Sequence, residues 1–282
     1  MTDRGWGVEI EDGLRALRPE YRELLSRAHD VFENDDRVRG MWLHGAIARG
    51  ALDAGGDLDI DIAVRDDDVE AFASEWQSWL ADITPTVSAV PLPGMPGCFY
   101  ALTPTCERMD VITEAVRDIA TSQLTRRLVV FDRDGLTASV PAPFDPGPSP
   151  DALRYLVEEP LRQAANVPTV VVRSDWLLGV VAVQQIHQFL YLLFAEANKP
   201  QPPTGPKQWS VKLSASHRAM LEALPVPQPD LQSILDARQA ALELLISEGR
   251  RVVEANGGAW PVDLAEAVLS YLEREGFATT RR

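Results

Sequence analysis

Cysteine is nearly absent from this 282-residue chain, which has only Cys98 and Cys106. Two thiols are too few for a disulfide scaffold, and no histidine stands near them at zinc-ligand spacing, so both are expected to be reduced, as in a cytosolic protein. Histidine is also scarce. His29, His44, His187 and His217 are scattered, and neither Gly-x-Ser-x-Gly nor a phosphate-loop lysine motif occurs, so no serine or cysteine hydrolase is indicated. Positive charge is in deficit, with 27 basic residues against 42 acidic ones and a net charge of −15. Such an excess repels a phosphate backbone, which argues against a nucleic-acid partner and favours cationic small molecules, although acidic surfaces also serve solubility.

The first residues contain no apolar core of a secretory signal, and a cytoplasmic protein is expected. The most apolar stretch, Trp176 to Ala197, has the length of a membrane span but carries Gln184, Gln185, His187 and Gln188 at its centre. It therefore reads as a buried helix of a soluble domain, with no membrane partner. What is present is the balance of a globular protein, with 45% apolar and 24% charged residues and length for one large domain or two ordinary ones.

Leu14, Leu17, Tyr21, Leu24, Leu25, Ala28 and Phe32 recur at helical spacing and predict one amphipathic helix over residues 9–34. Val38 to His44 is rich in strand formers and runs into a loop, residues 45–56, that contains Gly45, Gly50, Gly55 and Gly56. In residues 57–64, Leu58, Ile60, Ile62 and Val64 alternate with Asp57, Asp59, Asp61 and Ala63, a strand with one oily and one acidic face. A helix over 68–83 and strands over 98–102, 108–113 and 128–132 follow. Five prolines between Val140 and Pro150 then mark a domain boundary, giving domains of 1–145 and 146–282. Beyond it helices are predicted over 151–165, 174–198, 215–223, 229–255 and 261–275, with 169–172 ambiguous. The class is α+β: a mixed β-sheet flanked by helices, followed by an all-helical domain.

Asp57, Asp59 and Asp61 occupy positions i, i+2 and i+4 of a strand, about 7 Å apart on one face. Carboxylates so close repel unless a cation or a proton relieves them, and magnesium suits such oxygens and is often shared with substrate phosphates. A solvated edge strand would explain a lone Asp-x-Asp, but the glycine-rich loop directly upstream adds backbone N–H groups able to cradle phosphate. Asp110, between Met109 and Val111 on a neighbouring strand, offers a third acid.

With these residues the chain resembles the nucleotidyltransferases of the polymerase-beta superfamily, in particular the adenylyltransferases that act on aminoglycoside antibiotics. Their motif is Gly-Ser, about ten residues, Asp-x-Asp, and a later isolated carboxylate. Here Gly45-Ala46 is followed by ten residues and then Asp57-Leu58-Asp59, with Asp110 as the later acid. Asp59-Ile60-Asp61 is an alternative pair, but the spacing favours the earlier one and leaves Asp61 as an accessory acid.

The resemblance implies that Asp57, Asp59 and Asp110 are catalytic and hold two magnesium ions, and that ATP is the nucleotide donor. Gly45, Ala46 and Arg49 would contact the nucleotide, as would Lys207 in the segment from Leu193 to Trp209. It further implies transfer of AMP to a hydroxyl of a small cationic acceptor bound by the helical domain, and a role in antibiotic resistance. Two departures stand out: the motif serine is Ala46, and the usual serine before the acidic pair is Gly56. Each lost hydroxyl weakens phosphate binding by about 1.5 to 3 kcal/mol and removes no metal ligand. Two other readings use the same features. One is transfer of AMP to a partner protein; the other is a non-catalytic nucleotide-binding module.

Overall fold

The alternation of apolar and acidic residues that marks 57–64 as a strand puts it at the centre of a sheet. In the computed structural model, which describes residues 6–200, 204–205 and 207–277, six strands run in the order β3-β4-β5-β2-β1-β6. They are β1 (Val38–Leu43), β2 (Leu58–Val64), β3 (Ser88–Pro91), β4 (Phe99–Leu102), β5 (Arg108–Ala115) and β6 (Leu128–Asp132). β2 pairs antiparallel with β1 and parallel with β5, so the sheet is mixed. Leu58, Ile60, Ile62 and Val64 turn one face of β2 into a core shared with Leu24, Leu25, Phe32, Phe72 and Trp79. These come from helices α2 (Glu20–Glu33), α4 (Val69–Ser74) and α5 (Trp76–Ile83). The other face carries the acids.

The helix expected over 9–34 is two, α1 (Val8–Ala16) and α2. Pro19 has no N–H to give and disfavours helical backbone at Arg18, so the chain extends at Leu17 (ψ 169°) before helix resumes. The predicted 68–83 helix likewise breaks at Glu75, whose carboxylate accepts from Arg37 at 2.9 Å. The glycine-rich loop begins as a single helical turn, α3 (Gly45–Ala48). β3 escapes the sequence pattern because it is a short, exposed edge strand ending in proline, with no buried alternation to betray it.

The chain divides into two compact units, Met1–Phe144 and Asp145–Arg282. The second is helical: α6 (Pro150–Ala164), α7 (Val167–Arg173), α8 (Trp176–Asn198), α9 (Ala215–Glu222), α10 (Leu231–Leu244), α11 (Arg250–Ala255) and α12 (Val262–Arg274). The ambiguous residues 169–172 fall in α7. A π-helical turn, Leu245–Gly249, joins α10 to α11. The core of this unit packs Leu153, Val157 and Leu161 against Leu190, Leu193, Phe194 and Leu242.

α8 is long and apolar enough to cross a membrane by length and composition. It buries Val183, Ile186, Leu190, Leu193 and Phe194, but Leu177, Leu178 and Val181 remain exposed, so it is a half-buried helix rather than the buried one expected.

Candidate active site

The acidic face of β2 becomes a cluster through its parallel neighbour. The register sets Asp59 directly across from Asp110 on β5, with Asp57 one step before β2 on the same face. One carboxylate oxygen from each of Asp57, Asp59 and Asp110 lies within 4.8 Å of the other two, and all three side chains are half-buried. Three all-oxygen ligands at this spacing suit a hard divalent cation such as magnesium, which also relieves their mutual repulsion.

The turn after β1 passes close beside this cluster. The His44 N–H donates to the Asp59 carbonyl at 3.0 Å, which brings Gly45 against the Asp59 side chain. Gly45 has φ +67°, and a Cβ there would run into the Asp59 carboxylate, so both conformation and space demand glycine. α3 follows, closed by Ala51 N–H donating to the Ala46 carbonyl at 3.0 Å. Arg49 caps its C-terminus, half-buried, with Nε buried and without a hydrogen-bond partner among the described residues. Burial lowers the pKa of Arg49, Asp59 opposes that shift, and Arg126 adds to it. Burial, with the charges of Arg127 and Arg49, holds the His44 imidazole down at about 4. His44 is therefore neutral at pH 7.

Asp61 does not join the cluster. It is fully buried and ion-paired to Arg127 Nη1, and the Arg127 Nη2 meets Glu114 at 2.6 Å. Arg127 also donates through Nε to the Leu124 carbonyl and through Nη2 to Ser122 Oγ, both at 2.6 Å, and it lies 5.1 Å over the Trp42 ring. Burial, then the Glu114 charge, push the Asp61 carboxyl well above its ordinary value against the pull of Arg127. The accessory acid expected at Asp61 is instead one member of an internal network with Arg127 and Glu114. The alternative pair Asp59-Asp61 falls with it.

Of the residues singled out in the sequence, Asp57, Asp59, Asp110, Gly45, Ala46 and Arg49 lie in one neighbourhood of the first unit. Lys207 belongs to the second unit, exposed, next to Gln208 and Trp209; the indole of Trp209 stacks on Tyr191 with centroids 4.0 Å apart. Of the segment from Leu193 to Trp209, residues 201–203 and 206 lie outside the described residues. Sequence reasoning missed Arg108 and Arg127. Arg108, two positions before Asp110 on the same strand, has Nε 3.7 Å from Asp57 Oδ2. Period-two spacing from Asp110 was the available signal for it; Arg127 had none.

No family model matches the chain, and no curated protein does. Among solved structures it is similar to an aminoglycoside 6-adenyltransferase from Bacillus subtilis, at 17% identity over 90% of this chain and 97% of that one, with a TM-score of 0.44. It is also similar to a nucleotidyltransferase-like protein from Exiguobacterium sibiricum, at 13% identity over 91% and 92% of the two chains and a TM-score of 0.36. A third similar structure is a CCA-adding enzyme, at 12% identity over 94% of this chain and 71% of that one, with a TM-score of 0.38. Likenesses this distant carry no weight for chemistry, which is read from the residues themselves.

Proposed function

We propose that this chain is a metal-dependent nucleotidyltransferase that transfers AMP from ATP to a hydroxyl of a small cationic acceptor of the aminoglycoside kind. The observation that carries the reading is the meeting of Asp57, Asp59 and Asp110 within 4.8 Å on adjacent parallel strands. Two magnesium ions held there would supply the positive charge that draws the triphosphate oxygens in and favours attack at the α-phosphorus.

Asp57 and Asp59 orient the triphosphate through that shared charge, and Asp110 receives the proton of the attacking hydroxyl. Backbone N–H groups of the Gly45-Ala46 turn would meet the phosphates, with Arg49 as a cationic contact. Residues 1–145 are the catalytic domain in this reading, and 146–282 bind the acceptor. The net charge of −15 supports a polycationic acceptor. The biological role would be antibiotic resistance in the cytoplasm.

Calorimetry with ATP and magnesium is expected to show binding that is lost in the Asp57→Asn, Asp59→Asn double variant. Pyrophosphate release should depend on an added aminoglycoside. No ATP binding by the parent protein would refute the reading; binding without release across a broad aminoglycoside panel would refute the acceptor class alone.

A further inference from the structure

Arg108 stands where the acidic cluster meets the loop that delivers it. It opens β5, and the register that sets Leu58 against Met109 puts Arg108 across from the entry to β2. Its Nη2 donates to the Gly55 carbonyl and, at 3.3 Å, to the Gly56 carbonyl, while Nε approaches Asp57 Oδ2 at 3.7 Å. Tyr21 closes the arrangement from the other side. Its hydroxyl donates to the Gly56 carbonyl at 3.3 Å and accepts from the Arg108 N–H at 3.0 Å. Gly56 itself has no room for a side chain, since a Cβ would collide with Leu52 and crowd Leu17 Cδ2 and the Asp53 carbonyl at 3.1 Å each. The loop entering Asp57 is thus fastened through its carbonyls, at the position where the resembling family carries a serine.

We propose that Arg108 is a positioning residue that couples the metal carboxylates to this loop: its guanidinium fixes Gly55 and Gly56, and its charge attends Asp57 until a divalent cation takes that oxygen. The inference rests on the reading of the triad as a divalent-metal site. At 43% side-chain exposure and 3.7 Å, the Arg108–Asp57 pair is loose enough to yield. Exposed ion pairs of this sort shift an equilibrium by roughly 1.5- to 5-fold. Charge and fork then act in opposite directions on two ligands. The charge competes with the metal, whereas the fork orders the loop and so favours the nucleotide.

The test compares the full-length parent with Arg108→Gln, Arg108→Lys and Tyr21→Phe. Mn2+ binding without nucleotide is followed by the paramagnetic resonance of the free ion, and ATP binding at saturating Mg2+ by calorimetry. Arg108→Gln is expected to bind Mn2+ about two- to fivefold more tightly and ATP more weakly. Arg108→Lys keeps the charge and loses the fork, so its Mn2+ affinity should match the parent while ATP binding falls. Tyr21→Phe should leave Mn2+ unchanged and also weaken ATP.

A residue with a merely structural role would lower both affinities together, so Mn2+ binding that is unchanged or weaker in Arg108→Gln overturns the inference. If that variant does not fold, the Lys and Phe variants decide. Parental Mn2+ affinity with weaker ATP in both supports the inference, and any other pattern overturns it. Mn2+ binding by the parent that needs Asp57 and Asp59 but is indifferent to Arg108 would sink this inference alone; no Mn2+ binding by the parent would sink the metal reading with it.

Discussion

The acidic face of the sheet has a front and a back, and the two differ in who supplies the counter-charge. At the front, Asp57, Asp59 and Asp110 are half-buried and gathered within 4.8 Å, attended within the first unit by the partly exposed Arg108. At the back, Asp61 lies one same-face step beyond Asp59 and Glu114 two beyond Asp110, and they share the buried Arg127, whose side chain is 1% exposed. One strand pattern thus yields two chemistries. Where the protein closes over the carboxylates it must provide the cation itself, because an unpaired buried charge is strongly destabilising; where solvent reaches them, the cation can come and go.

The sharpest way to break this contrast is to remove the internal cation. Arg127→Met leaves the buried Asp61 and the half-buried Glu114 without their shared cation and should lower unfolding stability by about 3 to 5 kcal/mol in urea titration. Asp59→Asn at the front should change stability by no more than about 0.5 kcal/mol, or raise it as repulsion is relieved, even though it removes a proposed metal ligand. Equal losses in the two variants would mean that front and back form one structural unit.

Acid sensitivity separates the half-buried His44 from the buried Asp61, with opposite signs. The His44 pKa is lowered to about 4 from an ordinary value of 6.5, so the folded state binds fewer protons than the unfolded one between those values. Its stabilising contribution is full above pH 6.5 and is lost as pH falls to 4, a swing of up to about 3 kcal/mol. Asp61 is raised above 3.8, so the folded state holds the extra proton there and stability declines as pH rises from 3.8 through the raised value. Stability measured from pH 4 to 7 should therefore lose its acid-side fall in His44→Gln and its opposing slope in Asp61→Asn. A profile unmoved by either substitution would place both titrations elsewhere.

The front was legible in the sequence because its signals are local. Period-two alternation puts Asp57 and Asp59 on one face, glycines mark the turn before them, and an isolated acid between apolar neighbours marks Asp110. The same alternation misreads Asp61, because it gives the direction of a side chain and not its depth. Depth was set by Trp42, the partner of Asp61 across the β1–β2 register, and by Arg127, which reaches it through tertiary packing. Helical periodicity ran through Arg18-Pro19 as though the proline were absent, since the apolar residues kept their spacing while the backbone did not. In the second unit the helices follow from their apolar stripes. The half-exposed α8 does not, because composition records how apolar a helix is and not how many of its faces find partners.

The two positions where the resembling family carries serine should respond differently, one with a gain in affinity and the other with a loss of stability. Ala46 follows Gly45 at the start of α3 and is half-buried. Ala46→Ser adds a hydroxyl beside the proposed phosphate site and is expected to tighten ATP binding by about 1.5 kcal/mol, roughly tenfold. Gly56 is enclosed by Leu52, Leu17 and the Asp53 carbonyl. Gly56→Ser must displace them, so it should lower stability by about 1 to 3 kcal/mol and bring no gain in affinity. Calorimetry on the two variants would decide between two views of the loop. If Gly56→Ser binds ATP more tightly than Ala46→Ser, the loop is plastic and Arg108 and Tyr21 do not fix it; if only Ala46→Ser gains, a hydroxyl is useful on the phosphate side of the turn, and the other end is already held through its carbonyls.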